Sequence, residues 1–101
     1  MAMNIKAVTT CLGYQQITDL SSSVGLTVPT LAPDGLYQKP TFALIICETQ
    51  GVRWRDDGTA PTASVGMPLA AGVPLQYDGD LNKIRFIQQS ASAKLNISYY
   101  C

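Results

Sequence analysis

The chain has 101 residues with seven basic and seven acidic side chains, a length for which one domain is the default. The charges cancel, so no net field draws nucleic acid or an anionic membrane, and the counterion release that drives DNA binding has no obvious source. A composition 47% hydrophobic and only 14% charged excludes a disordered chain, and so few solubilising charges suit a subunit whose faces are covered by neighbours.

Residues 1–13, MAMNIKAVTTCLG, read in two ways. Ile5, Ala7, Thr9 and Cys11 alternate against Lys6, Val8 and Thr10, as in a first strand. The segment can equally be an arm that orders on a neighbouring subunit, with Ile5, Val8 and Leu12 as its contact residues. Asn4 and the two threonines break what would be the apolar stretch of a signal peptide, and no run approaches the ~20 apolar residues of a membrane span. A soluble, unexported protein is expected, with residues 14–101 as the β-sandwich domain.

YQQIT and VGLTV are expected as short strands around the polar DLSSS, and LAPDGLYQKP (31–40) as a loop with Pro-Asp-Gly turn chemistry. TFALIICET (41–49) is a continuous apolar run, read as a central strand buried on both faces. Thr49-Gln50-Gly51 is expected to make a hairpin into VRWRD (52–56), where Val52 and Trp54 point inward and Arg53 and Arg55 outward. Asp57-Gly58 supplies a tight turn, Pro61 fixes φ, and the Thr62 and Ser64 hydroxyls can satisfy loop amides.

VPLQY places Val73, Leu75 and Tyr77 on one side. After Asp78-Gly79-Asp80, Ile84 and Phe86 alternate with Lys83 and Arg85, and AKLNISYYC sets Leu95, Ile97 and Tyr99 against Lys94, Asn96 and Ser98. No window makes a convincing amphipathic helix. Seven or eight short strands give an all-β fold, an antiparallel β-sandwich of jelly-roll or Ig-like type, or a flattened barrel.

The chemistry on offer is sparse. With no histidine in the chain, the commonest general base and every Ser-His or Cys-His pair are missing. Cys11, Cys47 and Cys101 lie far apart without CxxC spacing, so a zinc site is not expected; reduced thiols are, with Cys47 in the core. Asp56, Asp57, Asp78 and Asp80 are hard oxygen donors, yet DDG and DGD lack the spacing of a calcium loop. A glycosidase pair would need a raised pKa and a sugar groove. Turn residues beside glycine are the expected reading. Trp54 with Tyr77, Tyr99 or Tyr100 could form a sugar platform, but Trp54 falls on the inward set, where packing explains it. No catalytic residue, cofactor or metal is expected.

Two resemblances add to this. Locally, VRWRDDGTAPTAS resembles the Y-x-x-DG-x-x-PT-x-S signature of the Ig-like domain at the C-terminus of chitobiases, where it implies a structural hairpin. The longer stretch from VRWRDDGTAPTASVG through IRFIQQ to NISYY resembles a group of small virion proteins of tailed bacteriophages: Arg-aromatic-Arg, then DGT-x-PT, a glycine before an apolar strand, IRFI and a final alternating strand. It covers the C-terminal half and implies a non-enzymatic particle component.

The expected function is therefore a virion structural protein, a capsid decoration or cement subunit bridging capsomers. Its partners would be the major capsid protein or other virion proteins, and a homo-oligomer is expected, with a trimer first because capsids have local three-fold positions. A neck, collar or tail-associated subunit and a carbohydrate-binding surface module are the alternatives.

Overall fold

The computed structural model describes residues 10–30 and 39–101. Eight strands follow in chain order: β1 (Cys11–Ile17), β2 (Val24–Gly25), β3 (Phe42–Glu48), β4 (Val52–Arg55), β5 (Met67–Leu69), β6 (Leu75–Tyr77), β7 (Arg85–Gln88) and β8 (Lys94–Tyr100). They form two four-stranded sheets, β1-β8-β3-β6 (sheet A) and β2-β7-β4-β5 (sheet B). Every pairing is antiparallel.

The order has a simple logic. β4 pairs with β5, β3 with β6, β2 with β7 and β1 with β8, so the chain is one long nested hairpin rolled over to bring β8 beside β3 and β7 beside β4. That is the strand order of a jelly roll, the double Greek-key sandwich. The all-β sandwich expected from the sequence is present, and among its two expected forms the topology is this one.

Period-two alternation places the core between the sheets. From sheet A come Ala43, Ile45 and Cys47 of β3, Leu95, Ile97 and Tyr99 of β8, and Tyr77 of β6; from sheet B come Val52, Leu69 and Phe86, joined by Ile84 just before β7, all buried. Trp54 and Leu75 are half-buried against this cluster. Val73, grouped with them in sequence, lies before β6 and is 50% exposed.

Three expectations change. Thr49-Gln50-Gly51 is no hairpin: β3 belongs to sheet A and β4 to sheet B. Both edges of β3 are already taken by β8 and β6, so no hairpin position remains for β4. The connection instead turns the corner between sheets, with Thr49 at φ 74° and the Gln50 amide donating to the Glu48 carbonyl at 2.9 Å. Next, β3 is fully buried on one face only; Phe42, Leu44 and Ile46 are half-buried on the outer face.

The third change concerns the first strand. Of the two alternating sets expected there, the described residues hold only Thr10 and Cys11, both exposed, while Leu12, expected as a contact residue, is buried. A register irregularity between Cys11 and Gly13 shifts the phase there. β1 thus straddles the division expected between residues 13 and 14.

Leu20 is a core residue that periodicity does not reveal. It sits fully buried in the link from β1 to β2. The Asp19 carboxylate accepts from the Ser21 amide and hydroxyl, at 3.1 and 2.6 Å, a local turn in which the intervening Leu20 points to the core. Its carbonyl accepts from the Gln88 amide at 3.0 Å, tying the link to β7.

Candidate functional site

The stretch richest in sequence signals, residues 52–69, is the β4–β5 hairpin with a long loop across 56–66. Its polar groups hold one another. The Arg55 guanidinium donates twice to the Asp57 carboxylate, and that hydrogen bonding lowers the Asp57 pKa below the usual carboxylate value. Asp57 also accepts from the Thr59 amide at 3.3 Å, while Gly58 turns the chain at φ 90°. Thr62 Oγ1 accepts from the Ser64 and Val65 amides at 3.4 and 3.0 Å, as its hydroxyl in this loop leads one to expect.

Arg53 does something the sequence does not announce. Its guanidinium donates to the Ala63 carbonyl at 3.1 Å and the Gly66 carbonyl at 2.9 Å, so it clamps the returning arm of the loop to β4. Asp56 accepts from the Tyr77 hydroxyl at 2.7 Å. Tyr77 can reach it because Gly79 has no side chain: a Cβ there would lie 2.6 Å from the Tyr77 Cζ. Burial, then the neighbouring Asp56, raises the Tyr77 pKa.

Beside this loop, Arg55, Asp56, Asp57, Val65, Gly66 and Met67 border an open depression of about 240 Å³. Its carboxylates already carry internal partners. Asp80 likewise caps its own turn, accepting from the Asn82 amide at 2.9 Å. Among the described residues no three histidine, cysteine or acidic side chains converge in a way that could hold a metal. Trp54 packs edge-on against Tyr77, with ring centroids 5.8 Å apart at 68°, so the two do not make a flat stacking platform.

The outer face of sheet A is a second candidate surface. In register across β8 and β3 lie Tyr100 and Phe42, Ser98 and Leu44, Asn96 and Ile46. The Phe42 and Tyr100 rings stack at 5.2 Å and 15°. Beyond them, β1 adds Tyr14 opposite Ser98 and Gln16 opposite Asn96. The Tyr14 hydroxyl donates to Asn96, Gln16 donates to the same Asn96 oxygen at 3.0 Å, and the Asn96 amide donates to Glu48 at 3.0 Å. The face is apolar along β3 and hydrogen-bonded along β8 and β1. Tyr14, 64% exposed, is the most open of the large hydrophobic side chains among the described residues.

Of the contact residues expected from sequence, Ile5 and Val8 lie outside the described residues. Leu12 is 3% exposed and belongs to the domain's own core; the phase shift at the start of β1 turns it inward. The structure therefore offers Tyr14, not Leu12, at the surface of this strand. Tyr14 had a legible signal, since it alternates with Gln15 in YQQIT, but alternation alone does not say which of two phases faces out. Comparison with family models, with characterised proteins and with solved structures gives no match.

Proposed function

We propose that this protein is a bacteriophage virion structural subunit without enzymatic activity, a capsid decoration or cement protein that bridges capsomers and works as a homo-oligomer. The observation that carries the reading is the outer face of sheet A. A free-standing antiparallel sandwich favours polar residues on its outer faces, yet this one carries half-buried Phe42, Leu44, Ile46 and Tyr100 in adjacent rows, with exposed Tyr14 beside them. Such a patch marks a surface that associates. The low share of charged residues, 14% of the chain, and the resemblance of the C-terminal half to small virion proteins point the same way, and jelly rolls are a recurrent architecture of capsid proteins, although architecture alone does not assign function. Weak contacts repeated over a shell add through multivalency.

The test is to add purified protein to particles lacking it. Saturable occupancy on heads is expected, and replacing Leu44 and Ile46 by lysine abolishes it while leaving the β-sheet circular dichroism intact. Occupancy confined to the neck or tail moves the protein there, and binding to neither overturns the reading. The carbohydrate-binding alternative is weakened by Trp54, which lies against the core and edge-on to Tyr77.

A further inference from the structure

The two sheets have four outer strands, and three of them are poor templates for pairing. β2 has two residues, and β5 and β6 have three each, with Pro68 inside β5; shortness and proline are the usual means of blunting an edge. β1 is different. It runs seven residues as CLGYQQI, and from Gly13 to Ile17 it pairs regularly with β8 on one side. It contains no charge and no proline. Among the described residues, no other strand and no loop backbone group pairs with its opposite side. The nearby segment 26–29 meets a side chain of β1 and not its backbone hydrogen-bonding groups, the Thr27 backbone amide donating to Gln15 Oε1 at 3.0 Å, and Pro29 lies near Gly13.

We infer that β1 is a self-association edge: two copies of the chain pair antiparallel through β1 about a two-fold axis at Tyr14. In a two-fold contact the residue on the axis meets its own copy and every other residue meets its mirror position; a charge on the axis would meet its like, and β1 carries none. With the axis at Tyr14, Gly13 faces Gln15 of the second copy and the two Tyr14 rings lie opposite each other on the outer face, an aromatic cross-strand pair. The exposure of Tyr14 is then accounted for, and the two copies of sheet A become one continuous eight-stranded sheet. Main-chain hydrogen bonds supply the contact, as in other strand additions. The contact is two-fold, whereas local three-fold positions on a shell lead one to expect a trimer. It does not depend on the particle to which the protein binds.

The test is the mass in solution by sedimentation equilibrium at about 100 µM. The wild type is expected at twice the 10.8 kDa chain mass. Tyr14→Lys and Tyr14→Glu, each placing like charges across the axis, are expected to be monomers with unchanged circular dichroism. Mixing the two variants restores the doubled mass, because lysine now meets glutamate. Val73→Lys, at another exposed apolar position, keeps the wild-type mass. A wild type that is monomeric or trimeric overturns the inference, as does a Tyr14→Lys protein that retains the doubled mass. Head binding by monomeric Tyr14→Lys is read separately, so that either reading can fail alone.

Discussion

The Tyr77 hydroxyl, the Asp56 carboxylate and the bare backbone of Gly79 form one small device, in which a glycine makes room for a tyrosine that holds the base of a loop. Gly79→Ala is expected to cost about 1–3 kcal/mol, since the new methyl group must displace the ring, and the loss will appear as a lower midpoint in urea melts. Leu20→Ala removes a fully buried side chain and is expected to cost about 3 kcal/mol, more than any change at exposed Val65. Tyr99 gives a pH signature. Burial pushes its phenol up to about 12 from the ordinary 10.0, so the folded state holds its proton where the unfolded chain releases it. The associated stability is complete below pH 10 and is lost as the pH rises toward 12. Alkaline melts should show that decline, and Tyr99→Phe should lessen it while the part due to Tyr77, raised by burial and Asp56, persists, at the cost of the 2.7 Å hydrogen bond from Tyr99 to Gln15.

Among the elements, the β4–β5 hairpin depends on Arg53 more than on its acidic residues. Arg53→Met keeps the aliphatic stem but not the donors to Ala63 and Gly66. Hydrogen exchange in residues 56–66 should speed up by an order of magnitude or more, with little change in global melting, because the loop is held locally and the core is untouched. Alternation identified most strands here because an antiparallel sandwich imposes a period of two: Leu95, Ile97, Tyr99, Val52 and Phe86 all face as their spacing says. It failed where a local event changes phase or direction. The irregularity between Cys11 and Gly13 turned Leu12 inward, and the turn at Asp19 drove a lone leucine out of a polar run into the core. Pairing partners were not legible at all. Whether β3 meets β4 or β8 depends on which edges are free, a property of the whole sheet and not of Thr49-Gln50-Gly51. The candidate surface on sheet A was hidden for a related reason, as an all-apolar run looks the same whether its second side is covered by its own chain or by another.

For the molecule as a whole, the apolar rows on sheet A and the uncharged edge of β1 make two separable surfaces, and the charge substitutions proposed for each should act independently. The nested pairing of strands has a further consequence, in time. β1 and β8 lie side by side from Ile17–Leu95 to Cys11–Tyr100, and Thr10 and Cys101 exchange two backbone hydrogen bonds of 3.1 Å. β3 also needs β8 as its neighbour. Sheet A therefore cannot assemble during synthesis until the last strand has been made, and its closure entails joining the most distant parts of the sandwich. Contacts of such long sequence separation slow folding, so refolding from urea is expected on the scale of milliseconds to seconds, with truncation before β8 leaving no cooperative transition. Until that strand arrives, β3 has only β6 beside it and one edge stays open, and crowding of nascent chains, more than any instability of the finished sandwich, is where this protein is most exposed to aggregation.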